Sequence, residues 1–270
     1  MAYVEIQDAN STPLSLHYEE WGDAKSPTLL LVHELGGTLE SFRAFGAALA
    51  TKYRVISFDQ RGAGLSQKPT KPFTCVDLAG DIDGLVEKLG ISRPFHLLGL
   101  AMGALTALQF AMQHSDQLAS LVLCDGTAEI KDATSKYLLD QAAIVRRDGV
   151  RAVAEPTFKT AFRGLTEPAD KSWTAYRHQF LSYAADCYAM HCEALANVKF
   201  DPAGFGKISC PTLALTGKND VIWSPSAGEK LAASIPNARF EVVENAAHLP
   251  PIQDVAGVSA RVAQFISGGG

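Results

Sequence analysis

No stretch of the sequence approaches the roughly 20 consecutive apolar residues that a membrane span needs. The opening Met1-Ala2-Tyr3-Val4-Glu5 has neither the basic nor the apolar segment of a secretory leader. Charge of one sign is also scarce. The 24 Lys and Arg residues stand against 29 Asp and Glu, a net charge of −5 with no long block of like sign, so neither a nucleic-acid surface nor a charged interaction tail is expected. The chain reads as soluble and cytoplasmic, and nothing in the sequence bears on its oligomeric state. Its 5 cysteines (Cys75, Cys124, Cys187, Cys192 and Cys210) are odd in number and have no C-x-x-C or Cys/His ligand spacing, which predicts reduced, buried thiols. A dinucleotide fingerprint, a Walker loop and a zinc-protease H-E-x-x-H are missing as well. His33-Glu34 begins the last of these, but Gly37 stands where its second histidine belongs, so no metal site follows.

What is present is an alternation of apolar runs with helical patterns. Residues 2 to 7 and 14 to 20 alternate apolar with polar around Asp8-Ala9-Asn10-Ser11-Thr12-Pro13, which predicts an N-terminal antiparallel hairpin. Continuous apolar runs at Thr28–Val32, Tyr53–Phe58, Phe95–Leu100, Leu121–Cys124, Thr212–Thr216 and Phe240–Val243 read as strands covered on both faces. Helical patterns at Ser41–Ala50, Cys75–Leu89, Leu105–Ala111, Ala227–Ser234 and Val255–Ile266 lie between and after them. From Gly126 to about Lys207 the strands stop. Helical patterns at Thr134–Arg147, Val150–Phe162, Trp173–Ala185 and Cys187–Val198, broken by Gly149, Gly164 and Pro168, predict a helical insertion, because a structureless loop of that length would be out of place in a compact domain. Such alternation implies an α/β fold whose functional loops gather at the C-terminal ends of parallel strands.

The most telling stretch is Gly99-Leu100-Ala101-Met102-Gly103, between a strand pattern and a helical one. Strand, sharp turn and helix form the housing of a nucleophile elbow, in which flanking glycines let strand and helix approach without Cβ clashes. The centre of such a turn is normally Ser, Cys or Asp. Here it is Ala101, which has neither lone pair nor proton with which to attack a carbonyl.

A serine nucleophile needs a base, and the base needs an acid to hold its tautomer. The order nucleophile, acid, base is met by Ala101, by Asp220 in Gly217-Lys218-Asn219-Asp220, and by His248 in Asn245-Ala246-Ala247-His248, each just after a strand pattern. Asp125, ending the strand after the elbow, is the alternative acid. The other histidines sit in or beside strands and helices, except His33, which is placed to shape the loop after its strand. Two backbone N–H groups, of Met102 and Leu35, are expected to form an oxyanion hole. A Glu34 carboxylate facing the pocket would repel an oxyanion, so it is expected to point away or pair with a cation such as Arg61. Glu34, Phe158, Trp173 and Tyr176 are the candidates for contact with substrate, with Phe162 and Tyr183 as further candidates for lining the pocket.

With His33-Glu34-Leu35-Gly36-Gly37, Asp59-Gln60-Arg61-Gly62-Ala63-Gly64-Leu65-Ser66, the elbow, Gly217–Asp220 and Ala246-Ala247-His248 in hand, the chain resembles the α/β-hydrolase superfamily over nearly its whole length. It looks most like the 3-oxoadipate enol-lactone hydrolases and small esterases. The resemblance implies an α/β-hydrolase core over 1–128 and 207–270 with a mostly parallel, helix-covered sheet, and a helical cap over 129–206. It also implies a Ser-His-Asp mechanism on a small-molecule ester or lactone and no cofactor. Hydrolysis of a carbon–carbon bond in a vinylogous diketone would draw on the same residue types. Two departures stand out, Glu34 for the usual glycine and Ala101 for serine. Three explanations fit Ala101: an inactive variant in which serine was changed to trap a ligand, a ligand-binding pseudoenzyme, or cofactor-free chemistry without a nucleophile. The otherwise intact acid, base and oxyanion loop favour the first.

Overall fold

The computed structural model describes residues 2–8, 11–164 and 171–268. In chain order these form β1 (Ala2–Gln7), β2 (Pro13–Trp21), β3 (Thr28–Val32), α1 (Arg43–Leu49), β4 (Arg54–Phe58), α2 (Cys75–Lys88), β5 (Phe95–Leu100), α3 (Met102–His114) and β6 (Leu118–Cys124). There follow α4 (Asp132–Asp148), α5 (Arg151–Ala161), α6 (Lys171–Leu181), α7 (Ala185–Ala196), α8 (Pro202–Phe205), β7 (Thr212–Gly217), α9 (Pro225–Ala233), β8 (Ala238–Val243), α10 (Pro250–Gln253) and α11 (Val255–Ser267). Ala9 and Asn10 of the expected hairpin turn and the expected break at Pro168 lie outside the described residues.

The strands form one 8-stranded sheet in the order β1-β2-β4-β3-β5-β6-β7-β8. The β1–β2 and β2–β4 pairs are antiparallel and the other five parallel. In β3, Leu29 and Leu31 enter one core with Phe45 of α1 and Val262 of α11, while Leu30 and Val32 enter the other with Ile82 of α2 and Leu108 of α3. With both faces buried, polar alternation disappears and the strand reads as a continuous apolar run. Helix α2 begins where Thr74 accepts from the Asp77 N–H and Asp77 bonds back to the Thr74 N–H, a reciprocal cap that satisfies two otherwise unpaired donors.

Differences from the sequence expectation are local. The segment expected to be helical over 41–50 opens with a 3-10 turn, Leu39–Phe42, and becomes α-helical at Arg43. Helix α6 ends at Leu181 and leaves a turn before α7 instead of running on to Ala185. Among the helices between β6 and β7, α4 packs against α7 and α5 against α6.

The elbow leaves no room for a side chain at either of its glycines. A Cβ on Gly99 would lie 2.2 Å from the Gly103 carbonyl oxygen, and one on Gly103 would lie 2.1 Å from that of Val32. Those atoms are backbone and cannot swing aside. Gly103→Ala is therefore expected to destabilise the protein by about 3 kcal/mol or more, read from the urea unfolding midpoint.

Candidate active site

Ala101 joins β5 to α3 with φ 51° and ψ −113°, a conformation that costs a non-glycine residue about 1 to 3 kcal/mol and persists only where the surroundings impose it. They do so here through the Ala101 N–H, which donates to the Cys124 carbonyl at 2.8 Å, and the Ala101 carbonyl, which accepts from the Ala104 N–H at 2.9 Å. Met102, the first residue of α3, has no intrahelical partner for its N–H. Ala101, Met102, Glu34, Leu35 and His248 all line one cavity of about 460 Å³.

The loops after β7 and β8 bring Asp220 and His248 together. Asp220 Oδ2 meets His248 Nδ1 at 2.9 Å, while Oδ1 accepts the backbone N–H groups of Ile222 at 2.7 Å and Trp223 at 3.2 Å. Burial works to raise the Asp220 pKa, but His248 and the hydrogen bonds from His248, Asp125 and Ile222 hold it below its ordinary value. Trp223 stands edge-on to the imidazole at 5.5 Å. The aspartate thereby fixes the ring so that Nε2 is the nitrogen left to act as a base.

Asp125, the alternative acid, lies behind this pair. It is fully buried at φ 47°, accepts the Gly217 N–H at 3.1 Å, and hydrogen-bonds to Asp220. Burial, and then the neighbouring Asp220 charge, push its pKa well above the ordinary range. Of the two carboxyls, Asp125 is therefore the one favoured to hold a proton. Among the described residues, Asp125, Asp220 and His248 are the one group of side chains close enough to share a metal ion, their ligand atoms within 4.8 Å of one another. Their bonding to one another accounts for that closeness.

Two residues hold the loops in place: Gln253, which the sequence did not single out, and His33, which it placed as shaping the loop after its strand. Gln253 Oε1 accepts the Ala247 N–H at 2.8 Å and the Leu249 N–H at 3.2 Å, and its Nε2 donates to the Ala161 carbonyl at 2.9 Å. That same carbonyl accepts the His248 N–H at 3.2 Å, which ties the base loop to α5. On the other side, His33 Nδ1 donates to the Glu34 carbonyl at 2.8 Å and Nε2 accepts the Gln60 N–H at 3.1 Å. Full burial lowers the His33 pKa, so it serves as a neutral strut for the Glu34-Leu35 loop. A glutamine in a four-residue helix has no periodic signal to betray it.

Several expected contacts are corrected. Glu34 does not pair with Arg61, which forks onto Asp81 of α2; instead it lines the cavity, its Oε1 accepting the Ser41 hydroxyl at 2.7 Å. Tyr176 reaches the cavity, but Phe158 and Trp173 do not line it. Phe158 packs edge-on against Trp173, Tyr176 and Phe180, with ring centroids 5.0 to 5.8 Å apart, and Phe162 packs against Trp173 at 4.3 Å. These rings join helix to helix, which an apolar stripe does equally well. Tyr183 likewise packs on Tyr188 and His191. The lining is supplied by residues with no sequence signal, among them Tyr137 and Gln141 of α4, Thr160 of α5 and Ile222 after β7.

Comparison with known proteins agrees with this geometry. A family profile described as alpha/beta hydrolase fold matches residues 27–255. The 3-oxoadipate enol-lactonase 2 of Acinetobacter baylyi is 28% identical over 241 residues, covering 89% of this chain and 88% of its own. A thermophilic esterase from Thermogutta terrifontis, solved with malate bound, superposes with a TM-score of 0.93 at 29% identity, over 100% of this chain and 99% of its own. The enol-lactonase from Burkholderia xenovorans LB400 gives 0.90 at 28% identity, over 98% and 100%.

A neutral Asp125 must ionise when the protein unfolds at neutral pH. With its folded pKa raised, the unfolded state binds fewer protons above about pH 4, so this group makes stability fall as pH rises from there. Asp125→Asn keeps one donor and one acceptor without a titrating proton. Urea unfolding across the pH range should show the variant at least as stable as the parent at neutral pH, with a shallower decline from acid to neutral.

Proposed function

Because the chain belongs to the alpha/beta hydrolase fold family, we propose that its site is built to hydrolyse a small ester or lactone, with an enol-lactone or similar ring-cleavage product as the favoured substrate class. The observation that carries this reading is His248, held by Asp220 and lining the same cavity as the strained elbow. In the acyl-enzyme mechanism that fits this housing, His248 Nε2 takes the proton of a hydroxyl at position 101. The resulting oxygen attacks the carbonyl, and the N–H groups of Leu35 and Met102 receive the developing charge. His248 then returns its proton to the leaving oxygen. Water repeats the sequence to release the acid.

Ala101 lacks the hydroxyl, so this chain has the binding and oxyanion parts without the covalent step. We read it as a serine-to-alanine variant of such an enzyme, since a strained turn and a polarised histidine have little use without a nucleophile. Residues 129–206 act as the cap, supported by the Tyr137, Gln141, Thr160, Tyr176 and Tyr188 contributions to the cavity wall. Hydrolysis of a vinylogous diketone is the second reading, on the same base and oxyanion donors.

The expected outcomes concern position 101. Ala101→Ser should raise turnover of p-nitrophenyl acetate by about 10³-fold or more, whereas adding His248→Ala to the unsubstituted chain should cost little further, because groups that act as one unit lose their effect together. Full activity in the Ala101 chain that vanishes with His248→Ala would instead place His248 as a base acting on water. The same Ala101→Ser change should alter unfolding free energy by less than about 1 kcal/mol, and a loss of several would mark alanine as the native residue.

A further inference from the structure

The cavity that Ala101 and His248 line is apolar from its mouth inward. Tyr137, Val221 and Ile222 line it and are also 54%, 47% and 38% exposed, so the mouth lies between α4 and the loop after β7. Leu138, Leu195, Trp223 and Leu249 line it as well and are buried. A wall of this composition matches apolar ligand surface and offers no hydration to a charge.

The polar groups in the wall do not suit an anion. Among the described residues that line it there is no lysine or arginine. The Thr157 and Thr160 hydroxyls already donate to the carbonyls one turn back, of Val153 at 2.7 Å and Pro156 at 2.8 Å, and the Gln141 amide donates to the Tyr137 hydroxyl. The other hydroxyls there, of Thr134, Tyr176 and Tyr188, are neutral and compensate a full charge only in part. The N-terminal turn of α4 reaches the wall through Ala133 and Thr134, but that turn carries Asp132, which offsets the positive end of the helix dipole. His248 is bonded to the Asp220 carboxylate at 2.9 Å, and Glu34 is a further acidic group in the wall. A ligand carboxylate brought in here loses its water and gains no counter-charge, the costliest state for a buried ion.

We propose that this site takes an uncharged lactone or ester with an apolar substituent and turns away one whose substituent is a carboxylate. The proposal rests on the ester-or-lactone reading for the reacting group and narrows it to substrates without a second acid. The wall of the cavity sets this discrimination, not the net charge of −5, because stripping water from a carboxylate is a local cost that salt does little to screen. On the same wall each added methylene contributes favourably, so selectivity rises with the length of an alkyl substituent until the cavity is filled.

γ-Valerolactone and 5-oxotetrahydrofuran-2-carboxylate carry a methyl and a carboxylate on the same ring carbon, which keeps either group beside the reacting carbonyl. In the Ala101→Ser protein, kcat/KM from acid release should be at least about 10²-fold higher for γ-valerolactone than for the carboxylate, with the gap kept in about 0.5 M NaCl. It should rise about 10-fold further for γ-octalactone, which adds three methylenes. Ile222→Lys places a cation at the mouth on an exposed side chain and should narrow the gap about 10-fold, whereas Ile222→Gln should not. A gap that is absent, that disappears in salt or that Ile222→Lys leaves unchanged would overturn the proposal, and so would a γ-octalactone no better than γ-valerolactone. Binding is read without turnover in the unsubstituted chain, where saturation-transfer NMR should show contact with γ-octalactone, none with the carboxylate, and contact with the carboxylate once Ile222→Lys is made. Equal contact by the two lactones, or contact by neither, overturns the proposal too. Selective contact in a protein whose Ala101→Ser form hydrolyses no ester or lactone would uphold the choice of ligand and sink the acyl-enzyme reading.

Discussion

The fold turns on the close approach of β5, α3 and β3 at the elbow. Gly99 and Gly103 leave no room for a side chain, and between them the backbone at Ala101 is forced to φ 51°. That constraint places Ala101 and Met102 in the wall of the cavity that His248 also lines. A second strained turn, Asp125 at φ 47°, ends the neighbouring strand β6 and backs Asp220. Strain at two adjacent strand ends is tolerable because each is tied down from both sides: Ala101 bonds to the Cys124 carbonyl, and Asp125 donates its N–H to the Leu215 carbonyl at 2.8 Å. A parallel sheet with both faces buried provides the rigid frame that such turns need.

Much of this was legible because burial on both faces leaves an unmistakable trace. Strands β3 to β7 appear as apolar runs bounded by turn residues, and each chemically suggestive residue follows such a run. Helices α8 and α10, of 4 residues each, are too short for a period to show. The aromatic positions of the helices between β6 and β7 were legible as buried but not as to what buries them. A helical stripe facing a cavity is composed like one facing another helix, and so Phe158 and Trp173 were expected to meet substrate when they meet each other. Pairing Glu34 with Arg61 failed for a related reason. Opposite charges near one strand end attract only if the fold offers no better partner, and α2 brings Asp81 to Arg61 from 20 residues away.

Three buried carboxyls lie close to the His248 imidazole, and burial makes it costly for all of them to be charged. Asp220 keeps its charge because His248 and two backbone N–H groups face it. Asp125, with that charge beside it and full burial around it, is favoured to hold a proton. Glu34 lies across the cavity, where burial outweighs the attraction of His248. Environments that push like groups apart in this way separate them, with the ionised Asp220 orienting His248 and the protonated form favoured at Asp125 and Glu34.

Ala101 and Glu34 were met in the sequence as separate departures, and they line one cavity. A carboxylate beside an oxyanion hole is a liability, which a protein that still binds or transforms a carbonyl compound has reason to avoid. Burial, which raises the Glu34 pKa to about 7, lessens that liability by favouring the uncharged acid. Alanine at 101 offers no hydroxyl, and it leaves the backbone N–H groups of Leu35 and Met102 unchanged. The two departures therefore need not share a cause. Ala101 bears on whether an acyl-enzyme can form, while Glu34 bears on the charge carried by the cavity wall.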